Sequence, residues 1–253
     1  MNRLLLVTMI ALASATAQAQ IASDNAGNYA FSGGWTNGSN EGTGFGAWTI
    51  TENDGTGSAG NFIGDPSVAG ITGMGTEAFG LFANPQGSGA TVSADRTLSA
   101  ALGVGETFSF IWGINWDGDN GTAGNKGFNL YVGGIAGAQV VNVNNGGNSN
   151  IDMNGSDTGM GFGLAAMTWS FTRTSTTDLL VSANDRDGVG TFSTTLSLAS
   201  SAVDGFRFYA TELGSGDQRQ PYFNDFSVVP EPTTMGLAVA GLAGLLIARR
   251  RKQ

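Results

Sequence analysis

An all-β fold, a single sandwich of jelly-roll-like connectivity over residues 20–229, is what the sequence predicts, on three observations. Apolar residues alternate with small polar ones in short runs, the period of a half-buried strand. Between the runs stand Asn-Gly and Asp-Gly pairs that tolerate the positive φ of tight hairpins, at Asn37, Asp54, Asp117, Asn145, Asn154, Asp187 and Asp204. Glycine makes up 41 of the 253 residues, about 16% against a usual ~7%, and no stretch of the body runs through a helical period without one.

Taken in chain order, residues 1–19 read as a signal peptide and stand apart from the fold. Arg3 gives the positive start, Leu4 to Ala13 the apolar run, and Ala17-Gln18-Ala19 the small-x-small pattern that places the mature N-terminus at Gln20. Trp35 follows in the turn-rich stretch Ser32 to Gly38 and is the Trp expected to offer its ring to a carbohydrate, since sugars stack through their C–H faces on flat apolar surfaces. Trp48, in phase with Ile50, reads as core, as do Trp112, Trp116 and Trp169.

Strand alternation is clearest over Phe108, Phe110, Trp112, Ile114 and Trp116. It recurs in Phe128, Leu130 and Val132; in Met167, Trp169 and Phe171; in Phe192, Thr194, Leu196 and Leu198; in Phe206 and Phe208; and in Tyr222, Asn224 and Phe226. The spacing predicts about 11 to 13 strands in a sandwich or barrel. Asn142 to Gly161, rich in Gly and Asn, is expected to be a long surface loop, and only Pro66, Pro85 and Pro221 fall within the body, so no linker divides it. The Asn-Gly-Ser/Thr triplets at Asn37, Asn120 and Asn154 read as turn chemistry.

Composition removes much catalytic chemistry. The chain has no Cys and no His, which excludes disulfides, thiolate nucleophiles, imidazole triads and Cys/His zinc sites. Between residues 20 and 229 six cations face 19 acids, a net charge of −13, with no basic patch to meet nucleic acid or anionic lipid. Two carboxylates suffice for a glycosidase, but the nearest approach to a one-strand Glu-x-Asp-x-x-Glu arrangement starts at Glu52 and Asp54 and fails at Gly57. Asp117 and Asp119, alternating before Gly121, resemble the first half of a calcium loop that lacks its third acid and its bidentate Glu; structural calcium is the one cofactor the sequence suggests.

The C-terminus carries the most specific pattern. Pro230-Glu231-Pro232 precedes 14 uncharged, mostly apolar residues from Met235 to Ala248, then Arg249, Arg250, Arg251 and Lys252. A helix of that length covers about 21 Å, short of a ~30 Å hydrocarbon core unless its flanks extend it, and the terminal cations would stay cytoplasmic. Pro-Glu-Pro, short apolar helix and Arg cluster, in that order behind a signal peptide, resemble the PEP-CTERM sorting signal of exosortase substrates in Gram-negative bacteria. The resemblance implies transient insertion in the inner membrane, recognition at Pro230, Glu231 and Pro232 by an exosortase, and delivery to the cell surface or exopolysaccharide matrix. With the chemistry above, the expectation is an exported, non-catalytic surface or matrix protein with exopolysaccharide as a partner. The alternative is a polysaccharide-active hydrolase or carbohydrate-binding module whose residues come from distant strands.

Overall fold

The computed structural model describes residues 20–31, 33–115, 124–145, 150–161, 165–184 and 191–231. Along the chain these form β1 (Ala22–Asp24), β2 (Thr49–Asn53), β3 (Ser58–Gly64), β4 (Ala78–Asn84), β5 (Thr91–Thr97), β6 (Glu106–Gly113), β7 (Asn125–Val132) and β8 (Ala138–Asn145). There follow β9 (Asn150–Met153), β10 (Ser156–Gly161), β11 (Met167–Arg173), β12 (Asp178–Ala183), β13 (Phe192–Ser197), β14 (Gly205–Thr211) and β15 (Tyr222–Pro230). One antiparallel sheet runs β13-β12-β11-β6-β15-β4-β3, with β1 added on β15; the other runs β10-β9-β8-β7-β14-β5-β2. The chain changes sheet between β1 and β2, β2 and β3, β4 and β5, β5 and β6, β6 and β7, β10 and β11, β13 and β14, and β14 and β15, which gives the sandwich its jelly-roll-like connectivity.

The sheets meet through aromatic side chains. Phe108, Phe110 and Trp112 of β6, Trp169 and Phe171 of β11, and Phe223 and Phe226 of β15 face Phe128 of β7 and Phe206 and Phe208 of β14, all buried in one cluster. Phe208 stacks on Phe223 with centroids 4.0 Å apart, and Phe110 meets Phe128 edge to face at 4.8 Å. Burying each such ring contributes about 1.5–3 kcal/mol, and the alternation that puts them inside is the one visible in the sequence.

Three expectations are corrected. Fifteen strands form among the described residues, more than the spacing predicts. Part of the excess comes from the stretch expected to be a loop: residues 142–145 complete β8 and residues 150–161 build β9 and β10. Ile151, Met153 and Met160 point into the core there. Asn154 (φ 50°) and Gly155 (φ 76°) make the tight turn, and Asn142 N–H donates to Asn154 Oδ1 at 2.8 Å. The asparagines thus act as turn formers and cross-strand hydrogen-bond partners, not as loop solvent. Finally, Tyr222, Asn224 and Phe226 do not share a face. The register of β15 on β6 slips between Asn224 and Ser227, where Asp225 adopts φ 53°, a bulge that turns Phe226 inward with Phe223. Tyr222 lies on the opposite side, in a second small cluster with Ile71, Met74 and Ala78.

One buried ion pair ties the N-terminal strand to the core. The Asp24 carboxylate accepts from Arg96, from Tyr29 Oη at 2.7 Å and from Asn28 Nδ2 at 2.9 Å. Arg96 also donates to Gly46 O and Asn40 Oδ1, both at 2.7 Å, and its guanidinium lies 4.9 Å from the Phe45 ring and 4.8 Å from that of Trp48. Desolvating two charges is costly, and the pair is compensated because each guanidinium nitrogen donates and each Asp24 oxygen accepts. Burial and the Asp24 hydrogen bond push the Tyr29 phenol up to about 12.

Candidate functional site

On every strand of the second sheet the residues that do not enter the core face the other way, and register aligns them in rows. Thr49 lies opposite Asp95, Asp95 opposite Arg207, Arg207 opposite Asn129 and Asn129 opposite Asn142. The next row is Thr51, Ser93, Tyr209, Gly127 and Asn144. The central strands of this outer face therefore present hydroxyls, amides, two phenols and one ion pair.

Its centre is held in place by hydrogen bonds. Arg207 grips Asp95 with two donors, Nε to Oδ1 at 2.6 Å and Nη2 to Oδ2 at 2.7 Å, and lies 5.6 Å from the Tyr131 ring. The Asp95 bond is what raises the Arg207 pKa above its ordinary value. Asn142 Nδ2 donates to Asn129 Oδ1 at 2.7 Å and to Tyr209 Oη at 3.2 Å, Asn129 Nδ2 donates to Tyr131 Oη at 3.1 Å, and Asn144 Nδ2 donates to Asn142 Oδ1 at 2.9 Å. Tyr209 reaches Asn142 across Gly127, where a Cβ would stand 2.9 Å from the phenol oxygen and collide with the Val143 carbonyl; only glycine leaves that path open. Burial pushes the Tyr209 phenol up to about 12, so it keeps its proton at any physiological pH.

Beside this network lies a groove of about 250 Å³ lined by Thr51, Thr91, Val92, Ser93, Asn129, Arg207, Tyr209 and Thr211. The hydroxyls of Thr51, Thr91, Ser93 and Thr211 form no hydrogen bond with the described residues. The arrangement can present several neutral donors and acceptors at fixed spacing beside a phenol, with its single cation already neutralised by Asp95.

The residues singled out from the sequence lie elsewhere. Trp35 is a correction: it is only 3% exposed, and its ring packs edge to face on Trp48 at 5.4 Å, Phe79 at 4.8 Å and Phe223 at 5.7 Å. Gly34 and Gly38 take part in the backbone hydrogen bonds of the turns around it, and the indole packs inward on these rings. Asp117 and Asp119 fall outside the described residues, as do Ala17, Ala19, Pro232, Arg249, Arg250, Arg251 and Lys252. Among the described residues no three acids gather closely enough to hold a metal ion. Gln20 is exposed at the start of the described chain, Pro230 is the last residue of β15, and Glu231 follows it, exposed. The outer face went unread although its signal is present: Asn129 and Tyr131 alternate with Phe128 and Leu130, and Arg207 and Tyr209 with Phe206 and Phe208. What the sequence does not say is that β5, β14, β7 and β8 lie side by side.

Fold and tail together define an exported β-sandwich protein with a C-terminal membrane anchor. Its particular signal is the PEP-CTERM protein-sorting motif, matched by residues 228–252, which makes an exosortase the partner of the tail. No curated protein matches the sequence. Among solved structures the chain is similar to a mutant of HCR/D, at 12% identity and a TM-score of 0.46 over 87% of this chain and 50% of that one. The chain therefore spans half the length of that protein. It is also similar to the globular domain of T. cruzi calreticulin (8% identity, TM-score 0.44, 81% of this chain and 95% of that one). A third is the lectin UEA-II complexed with galactose (10% identity, TM-score 0.43, 85% and 100%).

Proposed function

We propose that this is a non-catalytic protein of the cell surface or exopolysaccharide matrix, handed over by an exosortase, which holds an uncharged polysaccharide on the outer face of its second sheet. The observation that carries the reading is the groove along β2, β5 and β14, in which four hydroxyls without partners among the described residues stand beside Asn129 and the Tyr209 phenol. A polyhydroxyl ligand exchanges hydrogen bonds with such a surface, and a net charge of −13 over residues 20–229 favours a neutral ligand over an anionic one.

Binding is favoured over cleavage by the same lining. Glycoside hydrolysis needs two carboxyl groups about 5–10 Å apart, and none of the eight residues around the groove is a carboxylate. Asp95, nearby on the same face, is committed to Arg207 through both oxygens. The test is incubation of the purified protein with the producer's own exopolysaccharide. Co-sedimentation without release of reducing sugar is the expected result. Sugar release that vanishes on changing one acid to its amide would establish the hydrolase instead.

A further inference from the structure

The sorting motif does not begin beyond the fold; it begins inside it. The match opens at residue 228, whereas β15 runs to Pro230. β15 is an inner strand: β6 pairs along one side, and β4 and then β1 pair along the other. Val228 lies opposite both Phe108 and Ala22, Val229 opposite Thr107, and Pro230 opposite Glu106. Past the proline, which has no N–H to give, the Glu231 N–H donates to Gly105 O at 2.5 Å and closes the ladder.

The partner carbonyl is itself fixed. Gly105 sits in a turn at φ 79°, its N–H donates to Arg173 O at 2.8 Å, and the Glu106 carboxylate accepts from Gly103 N–H at 2.7 Å. Arg173 in turn donates to Leu102 O at 2.9 Å. The end of β15 is thus bound to a braced turn. The sequence offers no slack either. From Glu231 to Met235, the first residue of the apolar run, the chain reaches at most ~14 Å, so the folded end stands next to the membrane that receives the tail.

We propose that the folded body latches its own sorting motif, and that the exosortase takes Pro230-Glu231 only after the end of β15 peels away from β6 and Gly105. An enzyme that recognises a peptide segment must approach its backbone and side chains, and here the leading residues of that segment are held by strand pairing. Peeling a strand end is a local opening that costs far less than global unfolding. The latch therefore sets the pace of processing without preventing it, and ties release of the protein from the membrane to the state of its final strand.

The test follows conversion of the full-length precursor to its tail-less form by pulse-chase in the producing cell. A Gly-Ser-Gly-Ser insert between Val229 and Pro230 moves the motif clear of the sheet and should speed conversion ~3-fold or more. In the opposite direction, Thr107→Cys with Val229→Cys, in a chain without other cysteines, joins two directly opposed residues. Once oxidised, that precursor should convert at least ~10-fold more slowly and recover its rate on reduction, whereas either single variant converts normally. Wild-type conversion rates in both the spacer variant and the oxidised pair would overturn the latch. No polysaccharide enters the assay, so its outcome is independent of the binding function proposed above.

Discussion

Asp95 and Arg96 are neighbours on β5, yet they face opposite sides of the sheet and enter ion pairs of different character. Arg96 points inward to Asp24, and both side chains are wholly buried; Asp95 points outward to Arg207, whose side chain remains 32% exposed. The inner pair is surrounded by hydrogen bonds from Tyr29 and Asn28 and by the rings of Phe45 and Trp48. The outer pair borders a groove of neutral polar residues. Strand alternation alone separates them: one arginine fastens the N-terminal strand to the core, and the other sets up a surface. Charge in a sequence therefore says little about role until the face it occupies is known.

The largest effect should come from breaking the inner pair. Arg96→Met leaves the Asp24 carboxylate buried without its partner and should cost about 3–5 kcal/mol in urea unfolding. A cost near that of an exposed pair would mean that Asp24 reaches water. Close behind stands Trp35→Ala, expected to cost about 3–5 kcal/mol through the cavity it leaves. Trp35→Phe should cost far less, because the indole N–H has no hydrogen-bond partner to lose. Intact stability with lost ligand binding in Trp35→Ala would restore that ring to the surface.

Alkaline titration sharpens the contrast between the faces, since Tyr29 lies beside the inner pair and Tyr209 on the outer face, both pushed up to about 12 by burial. Each unfolded phenol loses its proton near pH 10 while the folded one keeps it, so the contribution is fully present below pH 10 and is lost as pH rises towards 12. After allowance for solvent screening, the loss should be about 1–2 kcal/mol per ring. Tyr29→Phe and Tyr209→Phe should each flatten part of that decline in chemical denaturation followed against pH. Arg207→Ala should cost about 1–3 kcal/mol, less than the loss of the inner pair because the Arg207 side chain is 32% exposed, although it leaves Asp95, only 8% exposed, without its partner.

What the sequence made legible follows from where the signal is local. Phe108, Phe110 and Trp112 on β6, or Phe206 and Phe208 on β14, announce buried strand faces because alternation and ring size belong to the residues themselves. The bulge at Asp225 escapes that reading, since a single extra residue with positive φ inverts the phase of everything beyond it. Residues 142–161 resemble a loop by composition, and only cross-strand hydrogen bonds such as Asn142 with Asn154 reveal a meander. Trp35 misled for a related reason: glycines mark the backbone as a turn but do not say which way the side chain points. The outer face was hidden because it is assembled from strands as distant as β2 and β14, whose adjacency is a property of the topology.

The central claim, that the outer face of the second sheet holds an uncharged polysaccharide, is tested most directly by calorimetric titration of the producer's exopolysaccharide into the wild-type protein and into Arg207→Ala and Tyr209→Phe. The account predicts saturable binding by the wild type, a loss of affinity of about tenfold or more in Arg207→Ala, where the groove wall is removed, and a smaller loss in Tyr209→Phe, with both variants still folded. Equal affinity in all three proteins, or no binding by the wild type, would contradict it.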